Sequence, residues 1–259
     1  MNNYGKTKYK NYHQNTVSDE RPLITFFLLT YNQEKYIRKA VNGAFSQTYE
    51  PLEIILSDDC SSDRTFDIIQ EMAAAYKGPH KIKVLQTSHN MGVTKHFLFG
   101  SQNSNGSIVI CAAGDDISFP ERCEEHVNLY RDPKIMAVST SFKLIDEDGD
   151  DINLKGKSHL MEISNIFQRR VFPNAGDNYV TIQGCTASYR KSILSFTLPK
   201  WKVLCSEDNL MNFIIYSKGH NVGYIDSPLV KYRMHAAALT NKSVTKAREN
   251  SSKLYLNKV

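Results

Sequence analysis

The sequence predicts an α/β fold, a mostly parallel central sheet flanked by helices. Two observations carry that reading. Short, unbroken apolar runs of strand length alternate with amphipathic helical stretches from residue 22 to about residue 112, which implies right-handed crossovers between parallel neighbours. None of the apolar runs approaches the ~20 residues that a membrane helix needs, so the buried segments are core strands. In sheets of this kind ligands bind beyond the carboxyl ends of the strands. The loops at those ends therefore carry the functional argument.

Residues 1–21 are polar and without periodicity and read as a flexible N-terminal extension. They hold no apolar block, so no secretory signal is expected in them. Order is expected from Pro22. The run Leu23-Ile24-Thr25-Phe26-Phe27-Leu28-Leu29 is apolar throughout, as a strand covered on both faces should be. Tyr36, Ile37, Ala40, Val41, Ala44 and Phe45 then share one helical face. Residues 52–56 form a second strand. A helix follows with Phe66, Ile69, Met72, Ala73 and Tyr76 inward, stopped by Gly78-Pro79.

Residues 82–85 read as a third strand, a helix runs through Phe97, and residues 108–112 form a fourth strand. Beyond them the pattern is less regular. Residues 136–145, 181–189 and 222–232 read as strands and 208–218 as a helix, while 152–178 has little periodicity. The acidic run Asp146-Glu147-Asp148-Gly149-Asp150-Asp151 lacks the closing glutamate of a calcium loop and reads as an exposed hairpin turn. The expected organisation is one domain over 22–240, in two halves at 22–116 and 117–240, and a tail at 241–259.

Composition narrows the class. Hydrophobic residues make up 41% of the chain and charged residues 23%, enough apolar material for a core. A net charge of +5 is too mild to argue for a nucleic-acid partner. The five cysteines are scattered without CxxC spacing, which disfavours zinc and a disulfide scaffold and fits reduced thiols in the cytoplasm. The tail carries Lys242, Lys246, Arg248, Lys253 and Lys258 against Glu249 alone, and such an end suits an anionic membrane surface as well as it suits solvent.

Five groups at strand or helix ends could carry chemistry. Thr30-Tyr31-Asn32 offers a hydroxyl, an aromatic face and an amide. Asp58-Asp59 sits before a run of capping serines, and one of the two could accept hydrogen bonds from a uracil or a ribose. Gly114-Asp115-Asp116 places two repelling carboxylates side by side, which a cation would relieve; hard oxygen ligands suit Mg²⁺ or Mn²⁺ completed by a diphosphate. Ser206-Glu207-Asp208 opens a helix, where the acids either favour the positive helix end or face a cleft. His235 follows a strand and could complete a metal site with Asp116.

In order and spacing these pieces resemble glycosyltransferase family 2, inverting enzymes of the GT-A fold. Ser46-Gln47-Thr48-Tyr49, Glu53 to Asp59 with Ser61 to Thr65, Asn90 with Gly92, and Tyr232-Arg233-Met234-His235 extend the match across roughly residues 22–236. The resemblance implies metal-dependent transfer of a sugar from a nucleoside-diphosphate sugar, of which UDP-sugars are the expected kind, to a glycan or lipid-linked acceptor. On it, Thr30, Tyr31 and Asn32 lie at the nucleoside and Asp59 contacts the base. Asp115 and Asp116 match the metal and diphosphate motif, Asp208 with Glu207 beside it the catalytic base, and His235 a metal or diphosphate ligand. Ala113 stands where the family often has the first aspartate of Asp-x-Asp-Asp, which weakens a sugar or ribose contact. The tripeptide Ala236-Ala237-Ala238 follows His235 where polar residues are common. The implied setting is bacterial surface polysaccharide synthesis, cytoplasmic or peripheral at the inner membrane face.

Two alternatives differ in kind. A nucleotidyltransferase needs a glycine-rich basic loop after the first strand, and Thr30-Tyr31-Asn32-Gln33-Glu34 has no glycine. A non-catalytic nucleotide-sugar-binding module would not need Glu207-Asp208.

Overall fold

The computed structural model describes residues 21–152, 180, 182–194, 206–236 and 238. The N-terminal extension up to residue 20, most of 153–205 including Trp201, and the tail from 241 onward lie outside the described residues. Eight strands form one sheet in the order β3-β2-β1-β4-β7-β6-β8-β5. They are β1 (Ile24–Thr30), β2 (Leu52–Asp58), β3 (Lys81–Gln86), β4 (Ile108–Ala113), β5 (Ile117–Ser118), β6 (Ile135–Ile145), β7 (Ser188–Arg190) and β8 (Asn221–Arg233). The described helices are α1 (Ile37–Phe45), α2 (Thr65–Ala75), α3 (Val93–Asn103), α4 (Arg122–Leu129) and α5 (Glu207–Ser217).

The first four strands are parallel, because a helix returns the chain between each pair. Their alternation sorts the core into two layers. Ile24, Phe26 and Leu28 of β1, with Ile54 and Leu56 of β2, pack beneath α1, α2 and α4. Phe27, Ile55, Val109 and Cys111 face the other way, beneath Phe97 of α3 and Met211 and Ile215 of α5. Gly100 makes the second layer possible. A Cβ there would sit 1.8 Å from the Phe27 ring, so α3 approaches β1 only because that position has no side chain.

Register brings the loops together. Thr30 pairs with Asp58 and Leu29 with Ala113, so Tyr31, Asp59 and Gly114 all emerge one step beyond the same sheet edge. The chain moves outward from β1 through β2 to β3, then returns to place β4 on the other side of β1. That reversal leaves a crevice between β1 and β4, where open α/β sheets take their ligands.

The second half is mixed: β7 is antiparallel to β4 and β6, β6 is parallel to β8, and β5 is antiparallel to β8. The strand expected over 181–189 is corrected. A 3-10 turn occupies Gly184–Thr186, and pairing begins only at Ser188. Such a turn lets the chain bend toward the crevice before β7 closes the gap between β4 and β6. The acidic run is a turn as expected: Asp146 Oδ1 accepts the N–H groups of Asp148, Gly149 and Asp150 at 3.0, 2.9 and 2.9 Å.

Candidate active site

The two loops beyond β1 and β2 are zipped together. Asn32 N–H donates to Ser61 Oγ at 2.8 Å, and Asn32 Oδ1 accepts Ser62 N–H at 2.8 Å. Gln33 N–H donates to Thr65 Oγ1 at 2.7 Å and Glu34 N–H to Asp63 Oδ2 at 3.0 Å. Asn32 has φ 51° and Cys60 φ 59°, so both loops turn sharply to meet. Thr30 is buried, with its hydroxyl on Ser57 O and Asp58 Oδ1. Thr30 and Asn32 thus build the floor, whereas Tyr31 is 45% exposed and offers a ring face to a ligand.

Asp58 and Asp59 divide their work. Asp58 accepts Ser61 N–H at 2.8 Å and Gln86 Nε2 at 3.2 Å, which is the turn-forming role that serine-rich loops need. Asp59 fastens the next loop, taking Thr87 Oγ1 and Met91 N–H at 3.0 Å on one oxygen and Gly92 N–H at 2.9 Å on the other. A carboxylate has about four acceptor positions, so these three donors leave room for one more.

At the end of β4 the neighbouring aspartates are unlike. Asp116 is buried; Oδ1 accepts Arg233 N–H at 2.9 Å, while Oδ2 has no hydrogen-bond partner among the described residues beyond the weak thiol of Cys185. Burial pushes its carboxyl well above the ordinary carboxylate range, and the charge of Asp115 adds to the push. Asp115 is more open, with Oδ2 3.0 Å from His235 Nε2. Arg233, fully buried, holds the arrangement: Nε donates to Asp115 O at 2.9 Å, and Nη1 to Asp146 O and Glu147 O at 3.0 and 2.9 Å. Its guanidinium lies over the Tyr36 ring at 4.9 Å, and that ring lies 4.8 Å from His235.

The sequence reading quoted Arg233 only within the Tyr232-Arg233-Met234-His235 motif and Tyr36 only as a core helical position, and gave neither a role at the site. It also missed that the acidic turn is tied to the Asp115 strand end through Arg233.

Across the crevice, Ser206 stands at the N-terminus of α5. Its hydroxyl bonds Asp208 Oδ1 and makes no cap to the helix backbone. Asp208 Oδ1 also accepts Asn209 N–H at 2.7 Å. Glu207 is turned inward. A Cβ on Gly184 would lie 2.3 Å from Glu207 Oε1, so the glutamate occupies the room that this glycine leaves. Burial pushes its carboxyl up to about 7, with Asp208 contributing. Glu207 and Ala113 line one half-open cavity of about 60 Å³ at the β1/β4 crevice, with Leu29, Phe97, Cys185 and Tyr189. The Cys185 thiol lies within electrostatic reach of Asp116, Asp115 and Asp208 together. Cys185, which lines the cavity with Glu207, is thus near carboxylates of both acidic pairs.

The donors fit a divalent cation of the kind a substrate completes. Among the described residues no three His, Cys, Asp or Glu side chains form a closed cage. Mg²⁺ and Mn²⁺ are commonly held by one or two carboxylates plus phosphate oxygens and water. The unsatisfied Asp116 Oδ2 beside Asp115 is the acceptor such an ion would use. His235, as placed, orients Asp115.

Residues 25–197 match the profile of glycosyl transferase family 2. The chain belongs to that family. It is 26% identical over 255 residues to an uncharacterized glycosyltransferase of Haemophilus influenzae, covering 92% of this chain and 76% of that protein. An uncharacterized glycosyltransferase of Nostoc, alr2836, is 22% identical over 223 residues, covering 83% and 65%. Solved structures share the GT-A fold. Staphylococcus aureus TarS 1-349 in complex with UDP-GlcNAc superposes with TM-score 0.60 at 19% identity, over 83% of this chain and 59% of that one. The mannosyltransferase PcManGT from Pyrobaculum calidifontis, in complex with GDP-Man and Mn²⁺, superposes with TM-score 0.63 at 17% identity, over 87% and 60%. This chain thus spans about two thirds of the Nostoc relative and less of the solved structures. No described helix is long and apolar enough to cross a membrane.

Proposed function

We propose that this family 2 chain transfers a sugar from a nucleoside-diphosphate sugar to a hydroxyl of a glycan or lipid-linked acceptor, with inversion at the anomeric carbon. What supports the reading is that Cys185 lies within electrostatic reach of Asp115, Asp116 and Asp208 and lines the cavity that Glu207 also lines. A UDP donor and a role in bacterial surface polysaccharide synthesis are part of the proposal, and a structural relative seen with UDP-GlcNAc supports the former.

The nucleobase stacks on Tyr31, and Asp59 offers its remaining acceptor position to the base edge. Asp115 and Asp116 would hold a divalent cation, Mn²⁺ or Mg²⁺; His235 keeps the Asp115 carboxylate aimed. Once bound, the ion supplies positive charge where the leaving β-phosphate oxygen becomes negative. Asp208 takes the proton of the acceptor hydroxyl. The new C–O bond then forms on the face of the anomeric carbon opposite the breaking bond to phosphate, which inverts the centre. Holding both substrates in line accounts for much of the remaining acceleration.

Donor binding measured by calorimetry with UDP- and GDP-sugars, with and without Mn²⁺, tests the reading, together with the anomeric configuration of the product by NMR. Metal-dependent binding and an inverted product are expected. Retention, or binding indifferent to Mn²⁺, would overturn it.

A further inference from the structure

Arg122 opens α4 and has no part in the transfer as proposed, yet it is among the largest side chains that the fold buries completely. Burying a guanidinium is unfavourable unless its charge and its donors are met. The described hydrogen bonds of this side chain reach no carboxylate. Nη1 donates to Ser118 Oγ at 2.9 Å and Nη2 to Cys111 O at 2.6 Å, while Nε has no partner among the described residues. The guanidinium lies over the Phe26 ring at 5.9 Å.

The two acceptors are the legs of one loop. Cys111 lies in β4, before Asp115, and Ser118 lies in β5, after Asp116. The Cys111 carbonyl is available because β7 does not extend that far. Cys111 N–H donates to Ala187 O at 2.9 Å, but Ala187 N–H turns back to Gly184 O at 3.3 Å. A hydrogen-bonded pair in an antiparallel ladder exchanges both bonds. Here the second is missing, and Arg122 supplies the donor. Ser118 is fixed from outside: it pairs with Val230 of β8, and a Cβ on Gly43 of α1 would stand 3.0 Å from its N and O. The fork therefore sets the spacing of β4 and β5 on either side of Gly114-Asp115-Asp116. An ammonium, a point charge without two aimed arms, would not hold both legs in this way. Asp116 is also within electrostatic reach of the guanidinium, so a fixed cation stands behind two carboxylates that repel each other.

We infer that Arg122 is a positioning residue of the metal site, its forked side chain holding the Asp115-Asp116 loop at the width that lets both carboxylates reach one divalent cation. The inference rests on the metal reading above and adds to it a residue that touches neither ion nor substrate. The loops of Tyr31 and Asp59 are zipped to each other and to Met91-Gly92 by bonds of their own, so they do not depend on the fork.

Two variants test this. Arg122→Lys keeps the charge and gives up the fork; Ser118→Ala keeps Arg122 and cuts one arm, and it stands in where the lysine variant fails to fold. Calorimetry measures Mn²⁺ affinity in the presence of UDP, and UDP affinity without metal. Arg122→Lys should weaken Mn²⁺ by about 10–100-fold, the typical cost of losing a group that orients a ligand, and Ser118→Ala should act in the same direction by less. Metal-free UDP affinity should not change, and transfer should return toward the parent rate at saturating Mn²⁺. Amide hydrogen exchange gives a reading that needs no metal. Asp116 N–H, bonded to Ala113 O at 3.1 Å, should exchange faster in both variants, while Asp59 N–H, bonded to Thr30 O at 2.9 Å, should not. Unchanged Mn²⁺ affinity beside a lowered Tm, an equal loss of metal-free UDP binding, or unaltered exchange at Asp116 would each overturn the inference and leave the transferase reading in place. Failure of the parent protein to bind Mn²⁺ with UDP would instead bring down the metal reading, and this inference with it.

Discussion

Two pairs of adjacent acids lie near Cys185 at the crevice, and each pair is split in the same way. In Asp115-Asp116, at a strand end, the second residue is buried and pushed up while the first is open to His235. In Glu207-Asp208, at a helix start, the first is pushed up while the second is held by Ser206 and Asn209. Neighbours in sequence thus acquire different chemistry, chiefly from burial with the adjacent acid adding to it, the usual way one site runs acid and base work together. The pairs differ in what is missing. Asp116 Oδ2 lacks a positive partner, whereas burial pushes the Glu207 carboxyl up to about 7.

The largest expected effect falls on the second pair. Asp208→Asn should retain donor binding and reduce transfer by about 10²–10⁴, the usual worth of a positioned base; steady-state rates beside calorimetry on the same sample measure both. Near-normal turnover would remove Asp208 from its role. On the first pair, Asp116→Ala should lower nucleotide binding in Mn²⁺ to the level seen without it, leaving no metal dependence to titrate. A smaller change is expected when the residue behind the pair is removed. His235→Ala should weaken Mn²⁺ affinity by about 10–100-fold, the typical cost of losing a group that orients a ligand, and excess Mn²⁺ should restore activity.

The mildest prediction concerns pH. Glu207 has a folded value of about 7, above its unfolded value of 4.5. The folded state therefore binds the proton more tightly, and stability from this group is present below pH 4.5 and lost as pH rises through about 7. Glu207→Gln removes that loss. Urea unfolding at pH 5 and pH 8 should show the variant gaining on the parent protein at the higher pH; a constant difference would mean that Glu207 is not buried as described.

Much of this was legible because the parallel half obeys simple periodicities. The apolar runs at β1, β2 and β4, and the turn residues after them, follow from burial on both faces and from the helical crossovers. Asp115, Asp116, Glu207 and Asp208 were all singled out. Their unlike environments were not readable, since the burial of Asp116 against Arg233 and the contact of Asp115 with His235 depend on the end of β8, more than a hundred residues away. The region before β7 misread for a related reason. Residues 184–186 were read as strand along with their neighbours, yet they bend in a 3-10 turn, where Gly184 leaves room for Glu207. Thr30 and Asn32 carry the side chains of a binding loop, but their hydrogen bonds go to neighbouring protein groups.

Paramagnetic broadening by Mn²⁺ in the presence of UDP offers the most direct trial. With backbone amides assigned, signals of residues 112–116, of His235 and of the first turn of α5 should all be lost together at low metal occupancy. Broadening confined to the strand end, with Glu207 and Asp208 left sharp, would mean that the acids at the helix start face some other place.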